Sequence, residues 1–308
     1  MVSRTTAYIV FGVGILLIIA ASVLKVPIGI GPGGALAFLG LALFGLSFIP
    51  AAPATLEEPP APMSFPSKLA GIFFEPSGVF LNLRAHPRWL AALLLTSLLA
   101  FAYSTAFVQR LTPERIVGFT TDKVAEQFSI PPEQAAGMKE QQIADAKAPG
   151  KIAGNAVTTF VGAFVLYCIF AGLYMLLVLL FGGRLGFWQA LSVAVWASVP
   201  PAIIGRVLSF VLLFIKDPDD IHPVLGQGGL VTDNLGALVK PGENPVLFGL
   251  LSAFGVLAFY HLWLTATGLR NASERLSKGS AWTIAILLWG IGLLFAVASS
   301  ALFGGFIS

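Results

Sequence analysis

The chain has 308 residues, 56% of them hydrophobic and 11% charged, with a formal net charge of +3. A soluble domain carries about a quarter charged residues, so this composition excludes an ordinary water-soluble fold and places the chain in lipid. Its 18 Lys and Arg are scattered and build no dense patch, which argues against nucleic acid as a partner, and the single cysteine, Cys168, excludes an internal disulfide or a cysteine-based metal cluster.

Crossing a hydrocarbon core of about 30 Å takes roughly 20 helical residues. Apolar runs of that order occur at 7–24, 33–49, 89–108, 156–181, 187–215, 246–267 and 281–306. They are continuous and do not alternate in segments of about ten residues, so they predict helices and not barrel strands. The expected fold is all-α, a polytopic membrane bundle of about seven transmembrane helices. An N-terminal hairpin (1–50) and a Pro-rich linker (51–67) precede a five-helix membrane domain (68–308).

The first run follows Arg4 and contains Ala20, Ala21 and Ser22, small residues of the kind a signal peptidase uses. Its apolar stretch is longer than a signal core and a second span follows at once, so an uncleaved hairpin turning at 25–32 is expected. Pro50 closes the second arm, and the proline-rich stretch to Pro66 reads as an extended linker, since proline fixes φ and donates no hydrogen bond.

Residues 68–88 are amphipathic and interrupted at Pro76, with Ser77 placed to cap a short helix. Phe73, Phe74, Val79, Phe80 and Leu83 form the apolar side; Lys68, Arg84, His86 and Arg88 form the basic one. This predicts a helix in the membrane interface before the chain turns inward at Trp89. The alternative is a cytosolic helix packed on the bundle's own loops.

With seven spans, Lys68, Arg84, Arg88, Arg184, Arg270, Arg275 and Lys278 fall on one side of the membrane, which the positive-inside rule makes the cytoplasm. Trp89, Trp188, Trp263 and Trp282 would form an interfacial belt on that side. The N-terminus is then inside and the C-terminus outside. On the outer side, Val117, Thr121, Val124 and Phe128 keep helical spacing and Pro131-Pro132 starts a second helix, which predicts a small helical cap. The Gly- and Pro-rich segment 216–245 predicts little regular structure.

Few residues suggest chemistry. Asp217, Asp219, Asp220 and His222 crowd one turn, but Ile221 and His222 stand where a calcium loop needs a ligand and a glycine, so a solvated acidic turn is expected. Neither His86 nor His222 has a zinc-ligating partner at i+4. His261, beside Tyr260, falls within the sixth run, where an ionisable group is a functional candidate or else a neutral ring bonded to a neighbouring helix. The run 187–215 would be about 43 Å long as one helix. Its Pro200-Pro201 pair removes two amide donors and predicts a kink or unwound turn at 199–202. Arg206 would lie about 28 Å along that helix, near the outer interface where its guanidinium can snorkel. Arg184 follows the Gly182-Gly183 hairpin. No phosphate-binding loop, nucleophile elbow, HExxH or dinucleotide motif is present, so neither enzyme activity nor a cofactor is expected.

Leu180-Phe181-Gly182-Gly183, Gln189-Ala190-Leu191-Ser192, Val199-Pro200-Pro201 and, after the next loop, Gly268-Leu269-Arg270 resemble the Yip family of Ypt/Rab-interacting membrane proteins, in its prokaryotic branch. Phe74-Glu75-Pro76 through Arg84, and His86-Pro87-Arg88, are similar to the family's approach to its first core helix. The resemblance covers roughly residues 71–306. It implies five membrane helices with a cytoplasmic lead-in and an external C-terminus. Eukaryotic members bind prenylated Rab-type GTPases in vesicle traffic, but their acidic, tyrosine-containing cytoplasmic motif is missing here. The functional expectation is a binding or membrane-organising protein that docks a membrane-protein partner or a second copy through Lys68, Arg84, Arg88, Arg270, Arg275 and Lys278. The rival is a small channel or secondary transporter for a small molecule or ion, with its site at the proline-broken span beside Arg206.

Overall fold

The computed structural model describes residues 4–23, 30–50 and 58–303. The predicted turn at 25–32 and the start of the linker therefore fall largely outside the described residues. In chain order the helices are α1 (Arg4–Val23), α2 (Ile30–Leu46), α3 (Phe65–Phe74), α4 (Pro76–Ala85), α5 (Leu90–Leu111), α6 (Pro113–Phe128), α7 (Pro132–Lys147), α8 (Pro149–Leu180), α9 (Phe187–Ile215), the single turn α10 (Leu225–Gly228), α11 (Pro245–Ser252), α12 (Val256–Ala272) and α13 (Lys278–Phe303). Among the described residues there is no strand, only two isolated bridges. Five helices, α1, α5, α8, α9 and α13, are long and apolar enough to cross a membrane; α2 is shorter, at 17 residues.

The sixth apolar run differs from expectation. It is not one helix but α11 and α12, broken at 253–255. Composition hides the break because both halves are apolar; polar side chains elsewhere create it. Asn244 caps α11 by accepting from Leu247 N at 3.2 Å. Asp233 receives the first amides of α12, Val256 N at its carbonyl and Leu257 N at Oδ2, 2.7 Å away. Trp289 Nε1 donates to the Ala253 carbonyl at 3.3 Å. The groups freed by the break thus find partners, as buried backbone must.

The prolines lie inside a helix. α9 runs as α-helix from Phe187 to Ile215 through Pro200 and Pro201, so of the kink or unwound turn expected at 199–202 the unwound turn is absent. Pro200 and Pro201 remove two helical hydrogen bonds, but the flanking turns hold. One turn earlier, Ser198 Oγ donates to Val195 O at 2.7 Å and pairs with Tyr167 Oη of α8 at 2.6 Å. With the serine proton committed to the carbonyl, the tyrosine hydroxyl is the donor of that pair.

The chain folds as two compact units. One comprises the described residues of Met1–Phe101, Ala148–Val199 and Thr267–Ala281; the other comprises those of Ala102–Lys147, Pro200–Ala266 and Trp282–Ser308. In the first unit, the opening half of α9 is the post around which the rest packs: every residue from Phe187 to Ala197 is buried. A helix apolar on all sides belongs inside a core. Its polar ends reach three carbonyls, with Trp188 Nε1 on Ile49, Gln189 Nε2 on Arg84 and Trp196 Nε1 on Arg88 at 3.3, 3.3 and 2.8 Å. Gly268 of α12 approaches so closely that a Cβ there would meet Val193 at 2.8 Å and Phe80 at 2.9 Å. α1 and α2 pack through glycines as well, with Gly14 against the Ala37 backbone and Gly40 against that of Phe11, the small-residue contact favoured between helices in lipid. Trp89, against Phe164, and Trp188 are buried in this unit, so they are not the lipid-facing belt residues the sequence predicted.

The second unit has a small core of Tyr103, Phe107, Leu111, Leu213 and Ile221. The two helices predicted for this segment are present. α6 buries Val117 and Thr121 while Phe128 stays exposed, and α7 returns antiparallel to it. Glu114 pairs with Lys147, and Asp122 with Lys139, so two ion pairs eight residues apart on each helix fix the register. Arg115 forks onto the carbonyls of Pro218, Asp219 and Ile221 and onto the Asp219 carboxylate, attaching α6 to the following loop. That loop, as expected, contains only short turns, Pro218–Asp220, α10 and Leu235–Leu238.

Candidate functional site

The basic residues singled out in the sequence divide into two sets. Those of the first unit begin on α3 and α4, which are separate helices. Ser64 caps α3, its hydroxyl accepting from Ser67 N at 3.3 Å. Phe65 packs on the Trp196 ring, centroids 5.9 Å apart, and this contact sets which face of α3 turns inward. Lys68 and Ile72 follow on that face at i+3 and i+7, and both are buried. Lys68, expected on the exposed basic side, is only 2% exposed, while Phe74, expected on the apolar side, is 89% exposed. The helical register decides both: Phe74 closes α3 about two and a half turns after Phe65 and so lies on the opposite face. Burial, and then the positive charge of Arg88, hold the Lys68 ammonium below the ordinary lysine range.

Ser77 does not cap α4. Glu75 holds the N-cap position without a side-chain hydrogen bond, and Pro76 is the first helical residue. Val79, Phe80 and Leu83 pack inward as predicted. Asn82 and His86, one turn apart, fasten the end of the linker: Asn82 Oδ1 accepts from Met63 N, Asn82 Nδ2 donates to Ala61 O, and His86 Nε2 lies 2.9 Å from Pro60 O.

Arg84 lies 3.6 Å from Glu274, and Glu274 is also joined to Arg184 by a two-way backbone pair, Arg184 N to Glu274 O at 3.0 Å and Glu274 N to Arg184 O at 2.8 Å. The glycine hairpin after α8 is thereby tied to the α12–α13 turn. Gly183 is close-packed there, since a Cβ would lie 3.2 Å from the Glu274 carbonyl. Arg275, at φ 59°, turns the chain toward α13. Arg88, Arg184, Arg270, Arg275 and Lys278 are exposed. Around one glutamate the fold therefore gathers Arg84, Arg184 and Arg275. Sequence reasoning missed the organising role of Glu274, although it is the lone acid in the basic stretch 270–278.

The other set lies in the second unit. Arg206 is half-buried, with its guanidinium carbon 5.1 Å from the centroid of the Tyr103 ring. Phe210, one turn on, meets the same ring edge-on at 5.5 Å, and the Tyr103 hydroxyl donates to Gly226 O at 2.7 Å. A cation over an aromatic face gains favourable electrostatics without a counter-ion. Tyr260 stacks on Trp263, centroids 5.8 Å apart. His261 lies in the second turn of α12, after the break at 253–255. Among the described residues Arg206 and His261 share no hydrogen bond, and no group of three His, Cys, Asp or Glu side chains could hold a metal ion.

Comparison with known proteins places this arrangement. No curated protein matches the chain, and no solved structure does. The family model of the Yip1 domain matches residues 70–299, which takes in α4 to α12, the glycine hairpin and most of α13. The chain is therefore a multi-pass membrane protein that belongs to the Yip1 domain family.

Proposed function

We propose that the chain is a non-catalytic binding or organising protein of a prokaryotic cell membrane, which docks a membrane-protein partner, or a second copy, through an acidic segment of that partner. The observation that carries this reading is the gathering of Arg84, Arg184 and Arg275 about Glu274, with Arg270 and Lys278 exposed on the adjoining helix ends. The charge distribution supports it: the first unit holds ten of the 18 Lys and Arg but four of the 15 Asp and Glu, the second the remaining eight and eleven. Basic connections stay on the cytoplasmic side, so the first unit's turns are read as cytoplasmic, with the N-terminus inside and the C-terminus outside. Complementary charge steers an acidic partner and fixes its orientation.

Crosslinking of the full chain in native membranes tests this. A reproducible crosslinked partner is expected for the natural chain and should be lost when Arg270, Arg275 and Lys278 are all changed to Glu. The same partner captured undiminished by the triple variant, or none captured at all, would sink the docking reading.

The transport alternative rested on free backbone groups at Pro200-Pro201. α9 stays helical there, and the groups freed at 253–255 are taken by Asp233 and Trp289, so no observation favours it. Reconstituted into liposomes, the natural chain should give no ion or solute flux above protein-free vesicles. Flux that Arg206→Ala or His261→Ala abolishes would restore the alternative.

A further inference from the structure

The end of the linker lies on α4 as a ligand lies on a receptor. Asn82 Nδ2 donates to Ala61 O at 2.8 Å, and Asn82 Oδ1 accepts from Met63 N at 3.3 Å. His86 Nε2 lies 2.9 Å from Pro60 O; a carbonyl can only accept, so the ring donates through Nε2. Each of these bonds joins a side chain of the receptor to a main-chain atom of the strand. The carbonyl of residue 61 and the amide of residue 63 flank residue 62 on one side of an extended chain, which is how one strand presents itself to the next. The Asn82 amide thus stands in for a neighbouring strand. Met63 adds an apolar contact, its methyl 3.8 Å from where a Cβ on Gly71 would lie.

Three features mark an exchangeable site. The receptor is buried while the middle of its occupant is not: Asn82 is 1% exposed, whereas Ala61 and Pro62 are exposed. A buried amide needs partners at both ends, so the site selects a strand that offers a carbonyl and, two residues on, an amide hydrogen. The occupant is preformed. Pro59, Pro60 and Pro62 hold φ, and Ser64 is extended at φ −65°, ψ 162°, which lowers the entropy lost on docking. Finally, Asn82 and His86 lie inside the matched Yip1 domain, residues 70–299, and the strand lies outside it.

We infer that Asn82 and His86 form a binding site for an extended proline-rich strand, which residues 60–63 fill in cis and which the same strand of a second copy can fill in its place. Main-chain recognition carries no mark of which copy supplies the strand, and exchange of an identical segment between copies preserves these contacts. The cis strand competes at the effective concentration of a tethered ligand, about millimolar, so it closes the site to free strands at lower concentration. The inference does not depend on the docking of an acidic partner, since it uses neither Glu274 nor the exposed cations around it.

A labelled peptide with the sequence of residues 58–66 stands for the strand of a second copy, and its binding to the detergent-purified full chain tests the site. The natural chain should take it up only near millimolar peptide. A chain carrying Pro60→Gly, Ala61→Gly, Pro62→Gly and Met63→Gly loses the stiffened cis strand and should be half-saturated at a concentration at least about tenfold lower. Toward that variant, a peptide carrying Met63→Pro lacks the amide for Asn82 and should bind about fivefold more weakly, the effect of one neutral hydrogen bond. Adding His86→Phe to the variant should weaken the unaltered peptide by a similar factor. A scrambled peptide of equal composition and charge should not bind, which separates strand recognition from attraction to the basic turns. If the glycine variant fails to fold, the natural chain still decides: millimolar peptide, but not its scrambled form, should speed amide exchange at the chain's own Met63. Equal binding of the scrambled peptide, indifference to both the Met63 and His86 changes, or neither binding nor displacement would overturn the site. Equal half-saturation of the natural chain and the glycine variant would overturn its occupation in cis.

Discussion

His222 is held neutral by its neighbours. Its Nδ1 accepts from Val224 N at 3.1 Å and Leu225 N at 3.2 Å, so the ring proton sits on Nε2, and Phe119 packs edge-on against it at 5.0 Å. Burial, and then the charge of Lys123, push its pKa below the ordinary histidine value of about 6.5. Because the folded state binds this proton less readily than the unfolded chain, stability is full above that ordinary value and falls as pH drops through the window beneath it. Protonation at Nδ1 also breaks both amide bonds. The protection of the Val224 and Leu225 amides against hydrogen exchange, taken relative to the intrinsic rate at each pH, should therefore fall between pH 7 and pH 5. His222→Asn, which offers an oxygen in place of Nδ1 but does not titrate, should flatten the profile; an unchanged profile in that variant would assign the effect to another group. The acidic turn itself was legible in the sequence, for Asp217 closes it by accepting from Asp219 N, and Asp219 pairs with Arg115. The partner from α6 was not, because a contact over 104 positions leaves no local pattern. The same holds for Lys68: its basic character could be read, but its burial follows from the packing of Phe65 on Trp196, 131 residues away.

At the scale of elements, apolar runs predicted the long helices well, since length and absence of charge are properties of the run alone. They failed at 246–267, where the decisive groups lie outside the run. Asp233, in the preceding loop, does for α12 what an N-cap residue does from within a chain segment, so Asp233→Ala should cost about 1–2 kcal/mol in unfolding free energy and Asp233→Asn much less. Equal losses for the two would show that charge, not the hydrogen bond to Leu257 N, matters. The glycine in Gly268-Leu269-Arg270, part of the family resemblance, has a packing reason of its own. A methyl group there would press on Val193 and Phe80 inside the first unit, and Gly268→Ala should destabilise by about 1–3 kcal/mol through overpacking. The prolines show the converse limit: two missing amides were readable, but whether neighbouring turns would hold the helix was not, because that depends on packing and on side chains such as Ser198 and Tyr167.

For the whole molecule, orientation rests on charge more securely than on tryptophan. Two of the four belt tryptophans, Trp89 and Trp188, are core residues, so their positions report packing and not the lipid interface. The basic excess of the first unit does not depend on them, and it predicts where each connection lies. Ser277, in the α12–α13 turn, and Gln141, on α7, are both exposed and belong to different units. In a Cys168→Ala background, which removes the natural thiol, a membrane-impermeant maleimide applied to intact cells should label Gln141→Cys and spare Ser277→Cys, while both should react after the membrane is opened. Seven crossings give that result if α11 and α12 cross once as a pair. α12 alone has 17 residues, about 26 Å against a core of about 30 Å, so α11 must supply the remaining depth for that crossing. Labelling of Ser277→Cys but not of Gln141→Cys from outside would invert the orientation and remove the docking face from the cytoplasm. Labelling of both sites in intact cells would mean that the pair does not cross, which leaves an even number of spans and places the turn and the cap on one side.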